Sequence, residues 1–434
     1  MSPLEQLKIG RRSMLGLVAA TSLPAVLPVL GAPPAAAAVT APEALLAPVA
    51  YAVPDRAPLT ATTLTGTSRL QSEIMVAMDR NRVRGWNCYS GTLKETRDEG
   101  LTWTTVRTFA GEFVEAVVPL DNGELLVFVL ITATNMRRAY VSSGYGSGSA
   151  SWTVVLNGSN PQVKFASAWG LAVHDNIVLA NEYGPKSGYT WSGGTEIIAE
   201  GKNARYTYLS LDYGRTWTTI FDLNAWLTAK GRSTKGHHLH GVAWDPYWDR
   251  IWLNFGDNMS GAGSNGVLYS DNLGATWQEA HYFSGTNGTQ TVGILPLPRC
   301  VLLAGDVNPS GLHRINRTEG KIHTGHYTLD LAYDAPASLG MHLCQGISRI
   351  RRVGDDAPAF FGFCPDVASG YSFVIATFDG YTVTEVWRDK DARPAGQGIR
   401  NVLGPTLRGD LIVASNDGRV AGKWSQFKGS APGY

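Results

Sequence analysis

An eight-residue pattern, Ser-x-Asp-x-Gly-x-Thr-Trp, recurs in this chain and limits its fold more than any other feature. Residues 210–217 match it in full, residues 96–103 have Thr in the Ser place, and residues 270–277 have Asn in the Asp place. A decayed copy, rich in Ser and Gly, ends at Trp152. In such a segment the Asx side chain caps its own turn, Gly supplies a positive φ, and Thr-Trp begins a strand. Recurrence at long intervals predicts one supersecondary unit that is used several times.

Apolar strands separated by turns divide the chain into seven units. They cover residues 71–109, 113–152, 165–223, 237–277, 289–329, 341–387 and 398–427. Residues 66–427 supply about 52 residues per unit, which suits a four-stranded blade with its loops. The composition, with 49 Gly and only 17% charged residues, fits a globular all-β protein with many turns. The sequence therefore predicts an all-β, seven-bladed β-propeller of four-stranded antiparallel blades. Six blades stay open as an alternative, because the last three units lack the pattern.

The repeated pattern resembles the Asp-box, also called the BNR repeat, of sialidase-like β-propellers. The resemblance implies a scaffold in which the boxed residues hold turns at the blade edges, namely Asp98, Trp103, Asp212, Trp217, Asn272 and Trp277. Asp-boxes occur in hydrolases, lyases, receptors and binding proteins. The resemblance therefore implies a fold and leaves the activity open.

One part of the family pattern is missing. True sialidases carry Arg-Ile-Pro in the first blade, where the arginine helps to hold the carboxylate of sialic acid. The first unit here has Thr-Ser-Arg-Leu-Gln at residues 67–71. Arg-Ile-Asn at residues 314–316 lies in the fifth unit and lacks the proline. The comparison argues against sialidase activity.

The N-terminal residues predict export. Residues 10–17, Gly-Arg-Arg-Ser-Met-Leu-Gly-Leu, resemble a twin-arginine signal, and Ala36–Ala38 offer a small-residue cleavage site. We expect a signal peptide over residues 1–38, an Ala/Pro/Thr-rich linker over 39–65 and one propeller domain over 66–434. The apolar run is broken by prolines, so no transmembrane anchor is expected after processing. The mature protein is predicted to be secreted, periplasmic or bound at the cell surface.

The charge of the mature chain narrows its partners. Removal of residues 1–38 leaves 34 basic and 35 acidic residues, so the net charge changes from +1 to −1. A near-neutral surface has no basic stripe for a phosphate backbone, and nucleic acid is not expected as a partner. We expect a monomer that meets a carbohydrate polymer or oligosaccharide.

After export the four cysteines would lie in an oxidising compartment, and no two of them form a CxxC motif. Cys344 and Cys364 flank a turn at residues 354–356 and are equally far from its start. They would then lie opposite each other on neighbouring strands, which predicts a disulfide between them. Two separate buried thiols are the alternative.

Two histidines at the start of the fourth unit are the strongest candidates for chemistry. Innermost strands of a propeller face its centre, and His238 and His240 project from the same side of such a strand. Together they could serve as acid and base, or could hold a divalent metal at the mouth of the propeller. Histidines that only pack at the rim are the alternative.

Acidic and phenolic side chains end the second strands of three units. Glu182 and Tyr183 precede a glycine in the third unit, where either could transfer a proton. Asp257 and Asp306 occupy similar places in units four and five. All four are candidate catalytic residues, and solvated or capped turns are the alternative.

Further candidates come from the fifth and sixth units. Arg314 could bind a sugar carboxylate in a bidentate manner, and His342 and Gln345 begin the sixth unit. Oligogalacturonate lyases, which are seven-bladed propellers, hold a metal with several histidines and a glutamine. The resemblance to them is loose, and it implies a substrate-binding or ligand role for His342 and Gln345 beside the histidine pair.

The sequence thus predicts an exported propeller that cleaves extracellular glycan. β-Elimination in a uronate-containing polysaccharide is slightly favoured over hydrolysis, because of the histidine cluster and the missing sialidase motif. Hydrolysis would need two facing carboxylates, which Glu182, Asp257 and Asp306 could supply. A non-catalytic propeller that binds glycan or protein is the rival hypothesis, and a structural part of a cell-surface assembly is a third.

Overall fold

The computed structural model describes most of the chain from residue 58 onwards. The described residues are 58–88, 90–148, 150–161, 163–165, 169–184, 203–234, 236–256, 265–283, 290–305, 311–335, 342–347, 357–365, 370–394, 397–416 and 423–432. All of them belong to the second of two units of the chain, Pro48–Tyr434. The predicted signal peptide and most of the predicted linker lie outside the described residues.

Seven antiparallel sheets follow one another along this unit, and the predicted seven-bladed propeller is confirmed. Blades 1 to 3 are built from β2 (Ala77–Met78), β3 (Gly85–Asn87), β4 (Thr92–Thr96), β5 (Thr104–Thr108), β6 (Glu112–Pro119), β7 (Leu125–Ile131), β8 (Arg137–Ser143), β9 (Ser151–Asn157), β10 (Lys164–Phe165), β11 (Leu171–His174), β12 (Ile177–Tyr183), β13 (Tyr206–Ser210) and β14 (Thr218–Asp222). In blade 3, the short strands β10 and β11 both pair with β12 and share the innermost position.

The remaining four blades continue the same order. They consist of β15 (His238–Asp245), β16 (Arg250–Gly256), β17 (Asn265–Ser270), β18 (Gln278–Phe283), β19 (Thr291–Pro296), β20 (Cys300–Gly305), β21 (Gly311–Asn316), β22 (Asp330–Asp334), β23 (His342–Ile347), β24 (Ala359–Pro365), β25 (Phe373–Thr377), β26 (Thr384–Arg388), β27 (Gly398–Leu403), β28 (Asp410–Asn416) and β29 (Lys423–Ser430). The described helices are short: α1 (Leu223–Ala229) and the 3₁₀ turns Gln71–Glu73, Tyr145–Ser147 and Arg317–Glu319. In the part of the chain that is described, no helix is both long and apolar enough to cross a membrane.

A strand from the beginning of the described chain completes the last blade. β1 (Thr65–Leu70) pairs antiparallel with β29, with Thr65 opposite Lys428 and Leu70 opposite Lys423. Blade 7 therefore has the order β27-β28-β29-β1. The sequence units did not anticipate this closure, because β1 lies far from its partners along the chain.

The apolar core lies in the seams between neighbouring blades. In β20, Cys300, Leu302 and Ala304 belong to a cluster shared with blade 6, whereas Val301 and Leu303 belong to one shared with blade 4. Successive strand residues point to opposite faces, and both faces of a blade are covered. For this reason central strands are continuous apolar runs. Full burial of each such side chain stabilises the fold by roughly 1.5–3 kcal/mol.

The three copies of the pattern form turns between the third and fourth strands of blades 1, 3 and 4. In blade 3, the Ser210 hydroxyl accepts the Gly214 N–H at 2.8 Å, and Asp212 accepts both the N–H and the hydroxyl of Thr216, at 2.8 and 2.7 Å. The turn of blade 1 repeats all three bonds, and the turn of blade 4 repeats the two that the N–H groups donate. In blade 4 the Asn272 amide donates to the Thr276 hydroxyl at 2.9 Å, so this bond has the opposite direction. The residue at the fifth position is a glycine with φ between 78° and 90° in all three turns. Backbone of this kind is readily adopted by glycine alone.

Each of these turns also packs against the preceding blade. The Trp277 indole donates to the Ile220 carbonyl of blade 3 at 3.0 Å, and Gly274 lies directly against the Ile220 side chain. Trp217 lies in the seam between blades 2 and 3, and Trp103 in the seam between blades 7 and 1. The turns therefore join neighbouring blades as well as strands.

Two further turns preserve parts of this arrangement. Trp152, the end of the decayed copy, lies edge-on to Phe109 of blade 1 with ring centroids 5.7 Å apart. In blade 6, the Thr377 hydroxyl accepts the Gly380 N–H. The Asp379 carboxylate accepts the N–H groups of Tyr381 and Thr382. This second turn is one residue shorter than the pattern, which explains why the sequence comparison missed it.

The predicted Cys344–Cys364 disulfide is not formed, because the strand register is offset by one residue. Cys344 lies opposite Phe363, and Cys364 lies opposite Leu343. The two sulfurs therefore leave opposite faces of the sheet. Cys344 joins the cluster with blade 5, whereas the Cβ of Cys364 lies against Gly398 of blade 7. All four cysteines are buried thiols.

Candidate functional site

The end of β12 and the start of β15 bring three of the predicted site residues together. β15 is the innermost strand of blade 4, and β12 is the second strand of blade 3. Tyr183 ends β12, and its ring centroid lies 4.9 Å from that of His238 and 6.3 Å from that of His240. We call these residues, with Trp169, the hub cluster. They lie where innermost strands of the ring converge.

The two imidazoles contact each other and the backbone of both neighbouring blades. Their Nε2 atoms are 3.0 Å apart. The Nδ1 atom of His238 lies 2.5 Å from the Gly184 carbonyl oxygen, and that of His240 lies 2.9 Å from the Thr291 carbonyl oxygen. The two histidines are only 2% and 1% exposed. Their orientation is thus fixed at each end.

These contacts form a chain from the Gly184 carbonyl oxygen through both imidazole rings to the Thr291 carbonyl oxygen. In a neutral imidazole one ring nitrogen donates and the other accepts, and the tautomer decides which. The chain therefore joins the backbone of blades 3 and 5 through two groups that can transfer protons.

Trp169 extends the cluster from the segment just before β11. Its indole lies edge-on to Tyr183, with ring centroids 5.8 Å apart. Its backbone carbonyl accepts the Val242 N–H of β15 at 3.0 Å. Trp169 and Tyr183 also belong to the apolar cluster that otherwise joins blades 5 and 6, so they reach across the ring. Trp169 is not among the site residues predicted from the sequence. A tryptophan-glycine pair before an innermost strand was the available signal.

Glu182 lies beside Tyr183 in sequence but does not join the cluster. Its side chain leaves the opposite face of β12 and is fully buried. One oxygen accepts the Ser159 N–H at 3.0 Å and the Tyr208 hydroxyl at 2.9 Å, and the other accepts the N–H groups of Arg205 and Tyr206 at 3.2 Å each. Burial, together with the charge of Glu182, raises the pKa of Tyr208 well above its usual range. This carboxylate holds blade 3 together.

The other predicted site residues are distributed as follows. Asp257 and Asp306 lie outside the described residues. His342 and Gln345 lie on β23, the innermost strand of blade 6. Arg314 lies on the third strand of blade 5, where it donates to the Gly380 carbonyl at 3.0 Å and stacks over Tyr381. The described contacts of Arg314 thus lie in the seam between blades 5 and 6, not at the hub cluster.

The described residues do not make a metal site. No group of three or more His, Cys, Asp or Glu side chains in the described ranges is placed to hold a metal ion. The histidine pair supplies two nitrogens, and these already contact each other. Protein zinc sites take three or four such ligands. A divalent metal suggested by the lyase resemblance would need a further ligand beside this pair, and it stays a prediction.

A cavity lies away from the hub cluster, between the outer strands of blades 6 and 7 and beside residues 61–64. Its volume is about 670 Å³. The charged groups in its lining pair with one another, as in Arg393 with Asp389 at 2.7 Å and Arg388 with Glu385 at 2.6 Å. We regard it as an inter-blade groove, since its charges are already compensated.

Comparison with known proteins identifies the fold alone. No protein-family model and no curated protein matches the chain. A chain from the crystal structure of the Mitotic Checkpoint Complex is 10% identical, with a TM-score of 0.50 over 88% of this chain and 98% of that one. YCF48 from Cyanidioschyzon merolae is 14% identical, with a TM-score of 0.49 over 83% and 98% of the two chains. The Hadza microbial sialidase Hz136 is 12% identical, with a TM-score of 0.41 over 78% and 73%. At such identities the match to the first of these supports a propeller fold and carries no activity with it.

Proposed function

We propose that this protein is an exported Asp-box propeller that cleaves a uronate-containing glycan by β-elimination at the hub cluster. The observation that carries the proposal is the contact of Tyr183 with the histidine pair, where the ring centroids of Tyr183 and His238 are 4.9 Å apart. A phenol and two imidazoles in contact form a set of proton-transfer groups. The three hydrogen-bonded turns support the Asp-box assignment, and the twin-arginine pattern supports export.

Elimination needs two proton transfers and one compensated charge. A base removes the proton next to the uronate carboxylate, and the electron pair of that C–H bond becomes the C=C bond of the product. The bond from the sugar carbon to the glycosidic oxygen breaks at the same time, and an acid protonates that leaving oxygen. Tyr183 and the histidine pair supply groups for both transfers. An imidazole of the pair, when protonated, would offset the charge of the carboxylate.

The hydrogen bonds that the buried Glu182 carboxylate accepts favour elimination over hydrolysis. Hydrolysis requires two carboxyl groups that face each other across the bond. Both oxygens of Glu182 are buried and accept two hydrogen bonds each, so this residue offers neither an acid nor a nucleophile. The described part of the hub cluster contains a phenol and imidazoles instead.

One observation favours a non-catalytic propeller as the second candidate. Both imidazoles are almost fully buried, and each is fixed to a backbone carbonyl. Such a pair could serve only to shape a binding surface for glycan or protein. The two candidates differ in turnover, which makes them separable in one experiment.

The test is to incubate the purified protein with a panel of uronate polysaccharides and follow the ultraviolet absorbance of unsaturated uronate. We expect product from the wild type, and a rate about 100-fold lower or less for Tyr183→Phe and for His240→Ala. His326→Ala is the matched control, because this histidine lies half-exposed on the rim beside Glu279. It should retain the full rate.

Two results would contradict the proposal. New reducing ends without the absorbance would identify a hydrolase. Binding of polysaccharide with no turnover, weakened by His238→Ala, would identify the binding propeller.

A further inference from the structure

The strand that carries the histidine pair contains a β-bulge at His240. In the pairing of β15 with β16, His240 and Gly241 together lie opposite one residue, Asn254. A bulge bends its strand and re-aims the side chains at that point, and bulges are frequent beside active sites. The direction of the His240 imidazole therefore depends on what holds the bulged backbone.

Two buried asparagines hold the peptide group between His240 and Gly241. Its carbonyl oxygen accepts the Nδ2–H of Asn181 in blade 3 at 3.3 Å, and its N–H donates to the Oδ1 atom of Asn254. Both asparagines are fully buried. Buried backbone groups need hydrogen-bond partners, which neighbouring strands usually supply. Here both partners of one peptide group are side chains, and they come from two different blades.

The same asparagines are themselves held by further bonds. The Nδ2 of Asn254 donates to the Thr291 hydroxyl at 2.9 Å, and the Thr291 carbonyl oxygen lies 2.9 Å from the Nδ1 atom of His240. The Thr207 hydroxyl donates to the Oδ1 atom of Asn181 at 2.7 Å. In each asparagine the amide oxygen thus accepts and the amide nitrogen donates, which is the full capacity of both ends of the group. Asn254 consequently connects the backbone of His240 to the residue that its ring contacts.

The other bulged blades provide a contrast. Bulges occur at the same place in the innermost strands of blades 2, 5, 6 and 7. The residues that flank these four bulges on the second strands are Val129, Phe128, Gly305, Ala304, Phe363, Gly362, Ser415 and Ala414. None of them has an amide side chain. Among the described strands, an asparagine therefore faces the bulge in the blade whose bulge carries a histidine.

We propose that Asn254 and Asn181 are positioning residues for His240, which hold its bulged peptide so that its imidazole meets that of His238. The Nε2 atoms of the two rings are 3.0 Å apart as a result. The proposal rests on the proposed function, in which the pair transfers protons, and it adds two residues that act through His240. Misplacement of a reacting group by about 1 Å can lower a rate by about 100-fold. Loss of either amide should therefore affect the chemical step more than substrate binding.

Nuclear magnetic resonance of the histidine rings tests the positioning role without a substrate. The ring nitrogen shifts report the tautomer and the hydrogen bonds of each imidazole. Asn254→Ala removes the acceptor for the Gly241 N–H, and we expect the ring nitrogen resonances of His238 and His240 to shift. Asn87→Ala is the matched control, because Asn87 is also fully buried on a second strand and donates to a backbone carbonyl, that of Ile74 in blade 1, at 2.7 Å. It should leave both histidine resonances in place.

A kinetic readout follows the ultraviolet absorbance of unsaturated uronate with the polysaccharide that the wild type cleaves. Asn254→Ala and Asn181→Ala should each lower kcat by about 10- to 100-fold, with KM within about threefold of the wild-type value. Asn87→Ala should keep the wild-type kcat. A general loss of stability would lower the amount of active protein without moving the resonances of the folded fraction, so the two readouts together separate positioning from folding.

Each outcome decides the proposal. Histidine resonances that stay in place in the asparagine variants, or that move equally in Asn87→Ala, would overturn it. If Asn254→Ala does not fold, Asn181→Ala gives the answer, since it removes only the donor to the His240 carbonyl and the acceptor for Thr207. Loss of folding in both variants but not in Asn87→Ala would show that the asparagines hold the fold itself, and would also overturn it. Shifted resonances in a protein that cleaves no polysaccharide would support the positioning of His240 and would refute the enzymatic function separately.

Discussion

The boxed turns at the rim and the hub cluster use polar groups in opposite ways. In the turn of blade 3, the side chains of Ser210, Asp212 and Thr216 form five hydrogen bonds of 2.7 to 3.1 Å. Two of these bonds join the side chains to each other, and three come from N–H groups of the turn. At the hub, two buried imidazoles contact each other through their Nε2 atoms, and each also contacts a backbone carbonyl of a neighbouring blade. The first arrangement closes a turn within one blade, and the second brings ionisable side chains together between blades.

This difference separates stability from function within one ring. Complete turns add to the free energy of unfolding and join each blade to the one before it. Buried ionisable side chains cost stability, and natural proteins retain such groups mainly where they bind or react. Substitutions at the rim should therefore change stability and leave ligand binding intact. The three predictions below test this separation, from the largest expected effect to the smallest.

Gly274→Ala should have the largest effect. The residue has a φ of 90°, and an added Cβ would lie 2.5 Å from the Cβ of Ile220 in blade 3. Strain and overpacking together should lower the free energy of unfolding by about 3 kcal/mol. Urea denaturation measures this value. Gly111→Ala is the control, since it has a φ of 73° with open space around it, and it should cost only about 1 kcal/mol. Equal losses for the two variants would show that contact between blades at Gly274 contributes nothing.

Asp212→Ala should have an intermediate effect. It removes the acceptor for the N–H groups of Arg215 and Thr216 and for two hydroxyls. The loss in free energy of unfolding should be about 1–2 kcal/mol, comparable with the loss of a helix cap. Asp212→Asn keeps an acceptor oxygen, as Asn272 does in blade 4, and should lose less. Weaker binding of a glycan by Asp212→Ala would break the separation between rim and hub.

The pH dependence of the turns should give the smallest effect. Although burial opposes it, hydrogen bonds from Thr102 and Thr96 lower the pKa of Asp98 to about 2. A carboxyl with a lowered folded pKa contributes stability above its unfolded pKa of about 3.9 and loses it as the pH falls toward 2. Asp98→Asn should therefore show a shallower decline in stability between about pH 4 and 2 than the wild type. Asn272→Asp should show a steeper one. If the free energy of unfolding declined equally with falling pH in the wild type and both variants, the lowered pKa of Asp98 would be refuted.

The fold was largely predictable because a local pattern determines it. Gly and Asx at fixed offsets define a turn from eight residues alone, and seven units of apolar strands separated by turns suggest a ring. The closing strand β1 and the disulfide were different cases. The pairing of Thr65 with Lys428, and the offset of Cys344 from Cys364, depend on register between strands, which spacing from a turn does not fix once a bulge intervenes.

The site was predictable only in part for a similar reason. Alternation along a strand correctly placed His238 and His240 on one face, and it separates Glu182 from Tyr183. Alternation does not show whether Glu182 or Tyr183 points toward the hub cluster. The groups that donate hydrogen bonds to Glu182 belong to Ser159 and to residues 205–208, which lie more than 20 positions away in the sequence. Trp169 escaped notice because its contacts with Tyr183 and with Val242 of β15 depend on the packing of neighbouring blades.

The closing strand has a consequence for biosynthesis. The Thr62 hydroxyl bonds to the Ser430 carbonyl across 368 positions of the chain, next to the paired strands β1 and β29. A nascent polypeptide must therefore hold its early segment unpartnered until the final strand has left the ribosome. Until then, β28 presents an open edge that another copy could occupy. Chains truncated before Lys423 should accordingly aggregate instead of yielding a smaller ring.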